Sequence, residues 1–379
     1  MFSNSKRPLL VYGFGVRLAG AVQEAIDFAH LAGIPAVCTW GAADFFHHND
    51  PLYAGTFGTH GVRYANFAVQ NADLIVSIGS RLDTKATGSP VSSFAPKARV
   101  VMVDVDQAEI DKFKKLGRKV EGVCQDAREF LETQIRAQMV MPMVDRSAWV
   151  SQIHRWKEKY PIVLPEYREQ EGINPYVFVE SLGEQLRAND VIVSDTGCVL
   201  GWMMQAFKFS GQRFLHAFNN TPMGYGLPAA VGAAFASGRR VVLVTGDGGL
   251  AVNITELATV ARHSLPIKIV LFNNRGHAMC RQTQRQWLGG EYPATSFDGG
   301  LSCPRYAAVA QAYGIESFST RWPDAASHGL AQMMENDQPG FLELEIDQEQ
   351  GIAPQVRFGC KLEDGDPRLP AEELAEVMA

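Results

Sequence analysis

The chain has 379 residues, 46% of them hydrophobic and 20% charged, which is typical of a globular protein with two or three packed cores. Its 35 basic and 41 acidic residues give a net charge of -6, which argues against a nucleic-acid or anionic-membrane surface as the main partner. The six cysteines form no CxxC pair, and no apolar run is long enough to span a bilayer. We therefore expect a cytoplasmic protein without a disulfide framework.

In the first part of the chain, short apolar runs alternate with amphipathic stretches. LLVYG is followed by LAGAVQEAIDFAHLAG, and the runs PAVCTW, DLIVSIGS and ARVVMVDVD come next. This alternation predicts βαβ units around a buried parallel sheet. The pattern loosens between about residues 120 and 150, so we expect one domain over 1–145 and a second over 146–379.

The second part repeats the alternation. Its apolar runs are DVIVSDTG, RFLHAFNN, RVVLVTGDGG, KIVLFNN and FLELEID, and helical stretches such as LPAAVGAAFAS separate them. The tail is expected to end in a short helix, PAEELAEVM. The predicted fold class is α/β, with two doubly wound and mainly parallel sheets.

A first glycine motif follows the first predicted strand. Gly13 and Gly15 end the strand, and Gly20 opens the next helical stretch. Such glycines can hold a pyrophosphate at a helix start, or they can simply form a tight turn. A nicotinamide-binding fingerprint would also need an acidic residue at the end of a second strand, and none is evident. An NAD-dependent dehydrogenase is therefore only a third interpretation.

A second motif lies in DLIVSIGSRLDTKATG. The strand ends at Gly79, and Arg81, Asp83 and Lys85 follow it. Ligands of open α/β sheets bind at the carboxyl ends of the strands. Arg81 could therefore pair with a phosphate, or it could be a surface arginine that closes the loop.

The most specific pattern spans residues 241–274, VVLVTGDGGLAVNITELATVARHSLPIKIVLFNN. One apolar strand leads to Asp247 and the next ends at Asn274, so parallel neighbouring strands would bring two oxygen ligands suited to Mg²⁺ together. Gly248 and Gly249 would let backbone N–H groups approach a diphosphate. The alternative interpretation is an N-capping Asp247 with turn asparagines.

Two other residue types have ordinary structural explanations when taken alone. Met223, in TPMGYG, could be core filler or a platform for a cofactor. His47, His48, His60 and His277 lie near predicted strand ends, but none has a metal-ligand partner at helical spacing. The histidines are better explained as buried or exposed structural side chains.

With GDGG and NN on two strands, preceded by NNTPMGYGLPAAVGA, the chain resembles thiamine-diphosphate enzymes of the acetolactate synthase type. The first half, with FGTHGVRYANFAVQNADLIVSIGSRLDTKATG and then VVMVDVDQAEI, resembles the central, FAD-carrying domain of that family. The resemblance covers nearly the whole chain.

The resemblance implies a cofactor site in the second domain. Asp247, Asn274 and the backbone carbonyl of Gly276 would bind Mg²⁺, and Met223 would be the hydrophobic wedge that bends thiamine diphosphate. The bend would place the cofactor's own pyrimidine nitrogen where it can remove the reactive proton. The residues expected around the cofactor are Met223, Gly246, Asp247, Gly248, Gly249, Asn274 and Gly276.

The resemblance also implies FAD as a possible second cofactor of structural character. The residues at matching positions in the first domain are His60, Gly61, Gly79, Arg81, Asp104 and Asp126.

The implied function is decarboxylation and carboligation of 2-keto acids, with pyruvate as the donor. The competing hypothesis is a non-catalytic or regulatory cofactor-binding protein of the same family. Binding of the cofactor without proton exchange at its thiazolium C2 carbon would favour that hypothesis.

Two departures from the family pattern affect this prediction. The glutamate that acts on the cofactor's pyrimidine ring belongs to a pyrimidine-binding domain and has no counterpart here, so we expect the isolated chain to be a poor catalyst. A partner chain, or other subunits of a homo-oligomer, could supply it. Thr283 stands where acetolactate synthases carry a pocket-shaping tryptophan, so the second substrate could differ. Nearby, Arg281 could bind a substrate carboxylate or be solvated.

Overall fold

The computed structural model describes residues 2, 4–117 and 119–379. Within this part of the chain, two compact units form, and each contains a six-stranded sheet. The first unit runs up to Pro161 and also includes Ala353–Ala379, whereas the second is Ile162–Ile352. All strand pairs within the two six-stranded sheets are parallel, which confirms the predicted fold class.

The strands of the first unit's sheet are β1 (Pro8–Tyr12), β2 (Ala36–Cys38), β3 (Tyr53–Thr56), β4 (Leu74–Ile78), β5 (Arg99–Asp104) and β6 (Glu121–Cys124). Its helices up to Pro161 are α1 (Phe14–Leu18), α2 (Val22–Ala32), α3 (Arg63–Asn71), α4 (Thr84–Thr87), α5 (Gln107–Lys115), α6 (Ala127–Met139) and α7 (Ser147–Lys159).

The strand order in this sheet is β3-β2-β1-β4-β5-β6, so the winding direction reverses between β1 and β4. Every residue of these two central strands is buried, as their mainly apolar sequences predict. A crevice at the carboxyl ends is expected where the winding reverses, and the Gly13 and Gly79 turns follow the two strands there.

The strands of the second unit are β7 (Val191–Ser194), β8 (Arg213–Leu215), β9 (Val241–Gly246), β10 (Ile267–Asn273), β11 (Glu316–Thr320) and β12 (Gly340–Glu345). Its helices are α8 (Pro165–Arg168), α9 (Pro175–Gln185), α10 (Cys198–Ala206), α11 (Gly226–Ser237), α12 (Asp247–Val252), α13 (Leu257–Arg262), α14 (Ala278–Trp287), α15 (Tyr306–Ala312) and α16 (Pro323–Met334).

The second sheet has the order β11-β12-β10-β9-β7-β8. Strands β7, β9 and β10 are therefore neighbours although other elements separate them in the chain. Their registers pair Ser194 with Val244 and Gly246 with Phe272. This arrangement brings the loops that follow the three strands to the same edge of the sheet.

The tail forms the hairpin strands β13 (Gln355–Val356) and β14 (Gly365–Asp366) and the helix α17 (Ala371–Met378), so the expected terminal helix is confirmed. This segment packs within the first unit: Asn66 Nδ2 donates to the Leu362 carbonyl at 3.1 Å, and Tyr160 Oη donates to Glu373 at 2.7 Å.

The division into units differs from the expected domains 1–145 and 146–379. Helix α7 belongs to the first unit because its aromatic face is buried there, with Trp149 Nε1 donating to the Pro8 carbonyl at 3.0 Å. The loosened sequence pattern before residue 150 therefore marks the connection between α6 and α7, within one unit.

Candidate functional site

Three neighbouring strands of the second unit deliver polar side chains to one edge of the sheet. Asp195 follows β7, Asp247 follows β9 and Asn274 follows β10. These residues are only 1%, 3% and 5% exposed, respectively. Burying carboxylates and amides costs free energy unless hydrogen bonds or a counter-charge compensate, so each side chain needs a defined partner.

Asp247 and Asn274 share one hydrogen-bond donor. The N–H of Gly276 donates to Asp247 Oδ2 at 2.9 Å and to Asn274 Oδ1 at 3.1 Å. Gly276 has no space for a side chain, because a Cβ atom on it would lie 2.6 Å from the carbonyl oxygen of Thr295. The predicted proximity of the carboxylate and the amide oxygen is therefore present in the structure, together with Gly276.

Burial raises the pKa of Asp247 to about 6, although N–H groups of Gly276 and Gly248 stabilise its charged form. The shift shows that backbone dipoles compensate only part of the cost of burying this carboxylate. A divalent cation would supply the missing positive charge, and the carboxylate and amide oxygens are hard ligands of the kind that Mg²⁺ binds. The donor set therefore fits a magnesium ion.

The loop that carries Asn274 and Gly276 is held in an unusual conformation. Arg275 has a φ of 55°, in the left-handed region that side chains other than glycine rarely adopt. Its N–H donates to the side-chain oxygen Oδ1 of Asn273 at 2.9 Å, which compensates part of the strain. The geometry of the loop therefore depends on the orientation of Asn273.

Glu343 fixes that orientation from the neighbouring strand β12. Asn273 Nδ2 donates to Glu343 Oε1 at 2.7 Å, and the N–H of Ala307 donates to Glu343 Oε2 at 2.8 Å. Ala307 lies in the first turn of α15, and Tyr306 beside it donates from Oη to the Asp247 carbonyl at 3.0 Å. Sequence reasoning missed Glu343, whose only signal was that it is one of two acidic residues in a mainly apolar strand.

The glycines after Asp247 have neighbours that explain why they lack side chains. A Cβ atom on Gly248 would lie 2.5 Å from the His277 ring, and one on Gly249 would lie 2.8 Å from Asp195 Cγ. Gly246 differs, because the nearest atoms to such a Cβ are 4.0 Å away. The closeness of His277 and Asp195 therefore explains by packing alone why Gly248 and Gly249 are glycines. This explanation stands beside the prediction that their backbone approaches a diphosphate.

Met223 lies next to this helix start. Its side chain is 48% exposed, and its Sδ atom is 3.4 Å from the position of a Cβ on Gly248. The residue borders an open, mainly apolar groove of about 700 Å³, which Pro222, Tyr225 and one face of α11 also line. Met223 is therefore a partly exposed apolar side chain beside the Asp247 site, where a cofactor platform would have to be.

Arg281 and Thr283 both lie on α14, but their surroundings differ. The Arg281 guanidinium is buried, donates to the Gln348 carbonyl at 2.8 Å and forms an ion pair with Glu349. Arg281 was expected either to bind a substrate carboxylate or to be solvated. In the structure it is not solvated, and a carboxylate of the chain itself, that of Glu349, already pairs with it. Thr283 is exposed, and its hydroxyl donates to the Met279 carbonyl at 3.0 Å.

In the first unit, the two glycine motifs pack against each other. The N–H of Gly15 donates to the Gly79 carbonyl at 2.9 Å, and a Cβ atom on Gly13 would lie 2.2 Å from that same oxygen. Gly79 has a φ of 60°, which glycine adopts without strain. Close packing of two turns is thus sufficient to explain these glycines, without a ligand.

The residues expected around FAD follow the carboxyl ends of four strands. His60 and Gly61 follow β3, Gly79 and Arg81 follow β4, Asp104 ends β5, and Asp126 follows β6. Arg81 pairs with Glu109 at 3.1 Å, and Asp126 caps α6. Burial raises the pKa of the Asp104 carboxyl. The set is spread along one edge of the sheet, as an elongated ligand would require.

His60 contacts the tail of the first unit. Its Nε2 atom lies 2.9 Å from Gln355 Nε2, its Nδ1 atom lies 3.2 Å from Thr59 Oγ1, and its ring packs against Trp40. Burial, and secondarily the charge of Lys85, lower the pKa of His60 to about 4. The imidazole is therefore held in its neutral form.

Among residues 2, 4–117 and 119–379, no three His, Cys, Asp or Glu side chains are grouped so that they could hold an ion. A site with one carboxylate, one amide and one backbone carbonyl needs no such group. None of the helices described is both long and apolar enough to cross a membrane.

In doubly wound parallel sheets, ligands bind at the carboxyl ends of the strands, which is where these polar oxygens lie. Residues 195–344 match the C-terminal TPP binding domain of thiamine pyrophosphate enzymes, and residues 1–133 match the central domain of those enzymes. The chain belongs to the thiamine pyrophosphate enzyme family, as the resemblance predicted.

Among the relatives that the chain matches are acetolactate synthase large subunits. It is 30% identical to that of Porphyra purpurea over 360 residues, which are 95% of this chain and 60% of the relative. The probable large subunit of Methanocaldococcus jannaschii is 30% identical over 96% of this chain and 61% of its own length. The isozyme 2 large subunit of Escherichia coli is 30% identical over 95% of this chain and 63% of the relative. The chain thus spans about three fifths of these relatives.

Proposed function

We propose that the second unit binds thiamine diphosphate through Mg²⁺ and takes part in acetolactate synthase-like chemistry, with pyruvate as the donor. In this reaction one 2-keto acid loses carbon dioxide and its remaining carbons are joined to a second carbonyl compound. The observation that carries the proposal is the convergence of Asp247 and Asn274 on the N–H of Gly276. The family match of residues 195–344 gives the cofactor class.

In this proposal Asp247, Asn274 and the Gly276 carbonyl hold the metal, which neutralises the diphosphate. Backbone groups of Gly246, Gly248 and Gly249, at the start of α12, would approach that diphosphate. When bound, thiamine diphosphate supplies a carbon nucleophile and an acceptor for the electrons that decarboxylation releases. Met223 would be the apolar side chain that supports the bent form of the cofactor. The chain's own task is therefore binding and orientation.

In the family, a glutamate of a pyrimidine-binding domain completes the site. We propose that such a domain, in another subunit of a homo-oligomer or in a partner chain, acts together with the two units described here. The names of the matched relatives, which are large subunits, support an assembly with other subunits. Full activity is then expected in the assembled enzyme.

For the acceptor substrate, we propose that Thr283 determines specificity. It is exposed on α14, close in sequence to the metal loop, and it is smaller than the tryptophan of the family. Arg281 is assigned a supporting role, because its guanidinium is already paired with Glu349. A Thr283→Trp variant would be expected to shift the preference among acceptor keto acids without abolishing cofactor binding.

FAD is proposed as the cofactor of the first unit. The supporting observation is that His60, Gly79, Asp104 and Asp126 lie on one strand-end edge of a doubly wound sheet. The visible absorbance of the purified protein tests this directly. A flavin spectrum would support the assignment, and titration with FAD without any change in flavin fluorescence would contradict it.

The central experiment is calorimetric titration of the protein with thiamine diphosphate, with and without Mg²⁺. We expect binding that requires the metal and that is lost in Asp247→Asn. Asp337→Asn is the matched control, because Asp337 is 62% exposed and pairs with Arg187 on the surface. If Asp247→Asn binds the cofactor as the unmodified protein does, the metal site is wrongly assigned.

A further inference from the structure

We propose that Asp195 is a positioning residue that holds the Met223 loop, residues 221–226, at the start of α12. The proposal rests on the proposed function, in which Met223 supports the bent cofactor. It adds a residue that the sequence patterns did not single out and whose role follows from its contacts.

The first observation is the number of backbone groups that bind this carboxylate. Asp195 Oδ1 accepts from the N–H groups of Thr196 at 2.7 Å and Gly224 at 3.1 Å, and Oδ2 accepts from the N–H of Gly226 at 2.9 Å. Two of the three donors flank Met223 and Tyr225 in the loop. Hydrogen bonds to a buried charged group are among the stronger ones in proteins, so this carboxylate fixes the path of the loop.

The second observation is that the loop is also held from the opposite side. Asn253, which follows α12, donates from Nδ2 to the Gly224 carbonyl at 2.7 Å. A Cβ atom on Gly224 would lie 2.7 Å from the Val252 side chain, and Gly224 has a φ of 89°. Gly224 is therefore clamped between Asp195, which accepts from its N–H, and Asn253, which donates to its C=O.

The third observation places the clamp on the cofactor-binding edge. Asp195 follows β7, and its own N–H donates to the Val244 carbonyl on β9 at 2.9 Å, the strand that leads to Asp247. Its carboxylate also contacts the α12 helix start, because a Cβ atom on Gly249 would lie 2.8 Å from Asp195 Cγ. The Asp195 side chain thus contacts both the Met223 loop and the start of α12 at Asp247, and it fixes the distance between them.

Asp190 offers a matched control on the same strand. It lies at the amino end of β7, is 2% exposed, and binds Arg240 through Nε at 3.0 Å. Both aspartates are buried in the second unit, but only Asp195 contacts the Met223 loop. Asp190→Asn therefore reports the cost of removing a buried carboxylate from this unit, together with the loss of its ion pair with the buried Arg240.

The test uses the full chain and begins without cofactor. In Asp195→Asn, one of the three backbone donors faces an amide NH₂ group, so amide hydrogen exchange within residues 221–227 should accelerate about tenfold or more. Asp190→Asn should not accelerate exchange in that segment relative to the rest of its unit. Unchanged exchange at Gly224 and Gly226 in Asp195→Asn would overturn the proposal, whether or not the protein binds thiamine diphosphate.

The second measurement is a double-mutant cycle on the affinity for thiamine diphosphate with Mg²⁺. If Asp195 acts through Met223, then Asp195→Asn weakens binding about tenfold in the unmodified chain and changes it by less than about twofold in a Met223→Ala background. If Asp195→Asn weakens binding by the same factor with and without Met223→Ala, the proposal is overturned. Loss of loop protection in a protein that never binds the cofactor would instead refute only the proposed function.

Asn253→Ala provides a variant for the case in which Asp195→Asn fails to fold. It removes the opposite side of the clamp and leaves the Asp195 carboxylate in place. The hydrogen bond that is lost is the one to the Gly224 carbonyl. We expect it to accelerate exchange in the same segment and to show the same dependence on Met223. If exchange there is unchanged, the clamp does not hold the loop.

Discussion

The side chain of Asn273 donates a hydrogen bond of 2.7 Å to the carboxylate of Glu343 on the neighbouring strand β12. Glu343 is only 3% exposed, and its other oxygen accepts from the N–H of Ala307 in α15. Because Asn273 in turn accepts from Arg275 in the strained loop, Glu343 supports the segment that carries Asn274 and Gly276 without touching it.

The first prediction is that Glu343→Gln weakens this support. A neutral glutamine must turn its NH₂ group toward either Asn273 or Ala307, so one hydrogen bond is lost and the free energy of unfolding should fall by about 1 to 3 kcal/mol. The affinity for Mg²⁺ and thiamine diphosphate should fall roughly tenfold, as for other residues that orient metal ligands. Chemical denaturation and calorimetric titration measure the two effects.

Glu345→Gln is the control for this substitution. Glu345 lies on the same strand, but its side chain is 39% exposed and pairs with Arg275 on the surface. Exposed ion pairs contribute little, so the free energy of unfolding should change by less than about 1 kcal/mol. Equal effects of the two substitutions would show that Glu343 has no special role.

The second prediction concerns Gly248. In Gly248→Ala the new methyl group would lie 2.5 Å from the His277 ring, so the substitution should destabilise the second unit by roughly 1 to 3 kcal/mol. Adding His277→Ala removes the obstacle and should recover most of that loss. Thermal unfolding of the single and double variants measures this, and a double variant no more stable than Gly248→Ala would contradict it.

Gly232→Ala is the matched control for the effect of a methyl group on glycine. Gly232 lies within α11, and a Cβ atom there would meet nothing within 4 Å. Alanine restricts the unfolded chain more than glycine does, so this variant should be more stable by about 0.4 to 1 kcal/mol. A loss of stability in Gly248→Ala together with a gain in Gly232→Ala would show that the loss at Gly248 comes from the contact with His277.

The closeness of Asp247 and Asn274 could be predicted from the sequence because each residue follows a mainly apolar run that predicts a strand. Parallel neighbouring strands have only one carboxyl edge, so Asp247 and Asn274 had to lie at that edge. Which strands are neighbours was not available from the patterns alone. Once β9 and β10 pair, the closeness of the two side chains follows from the register.

Glu343 and Asp195 could not be assigned in this way. In FLELEID, the two glutamates Glu343 and Glu345 are equivalent in the alternating pattern. Glu343 is nevertheless buried and accepts from Ala307 in α15, whereas Glu345 ends the strand and is partly exposed. Asp195 binds Gly224 and Gly226, which are distant in the chain, so no local spacing reveals the contact. Such residues act through tertiary contacts that sequence periodicity does not encode.

The third prediction is a loss of stability of the first unit in acid that depends on His60. The pKa of His60 is about 4 in the folded chain and about 6.5 in an unfolded one, so the unfolded state binds more protons between these values. The free energy of unfolding should therefore fall as the pH decreases from 6.5 to 4, by about 1 to 3 kcal/mol from this group. Urea unfolding of the unmodified chain and of His60→Gln across this range gives the difference.

The difference between the two proteins isolates His60 from the other groups that titrate in the same range. His60→Gln keeps a polar side chain near Gln355 and Thr59 but cannot take up a proton, so its stability should depend less on pH between 4 and 6.5. Parallel pH profiles for the two proteins would show that the histidine is not held neutral in the folded state.

The fourth prediction links metal binding to the stability of the second unit. A ligand that binds only the folded state raises the free energy of unfolding by about 2.7 kcal/mol at one hundred times its Kd. Thiamine diphosphate with Mg²⁺ should therefore raise the Tm of the unmodified chain, and a chelator should abolish the increase. Without the metal, the buried Asp247 carboxylate and the cofactor diphosphate would repel each other.

Asp247→Asn should show no increase in Tm under the same conditions, whereas Asp337→Asn should show the same increase as the unmodified chain. An increase that persists with the chelator would mean that the diphosphate binds without a cation and that Asp247 is not its metal ligand.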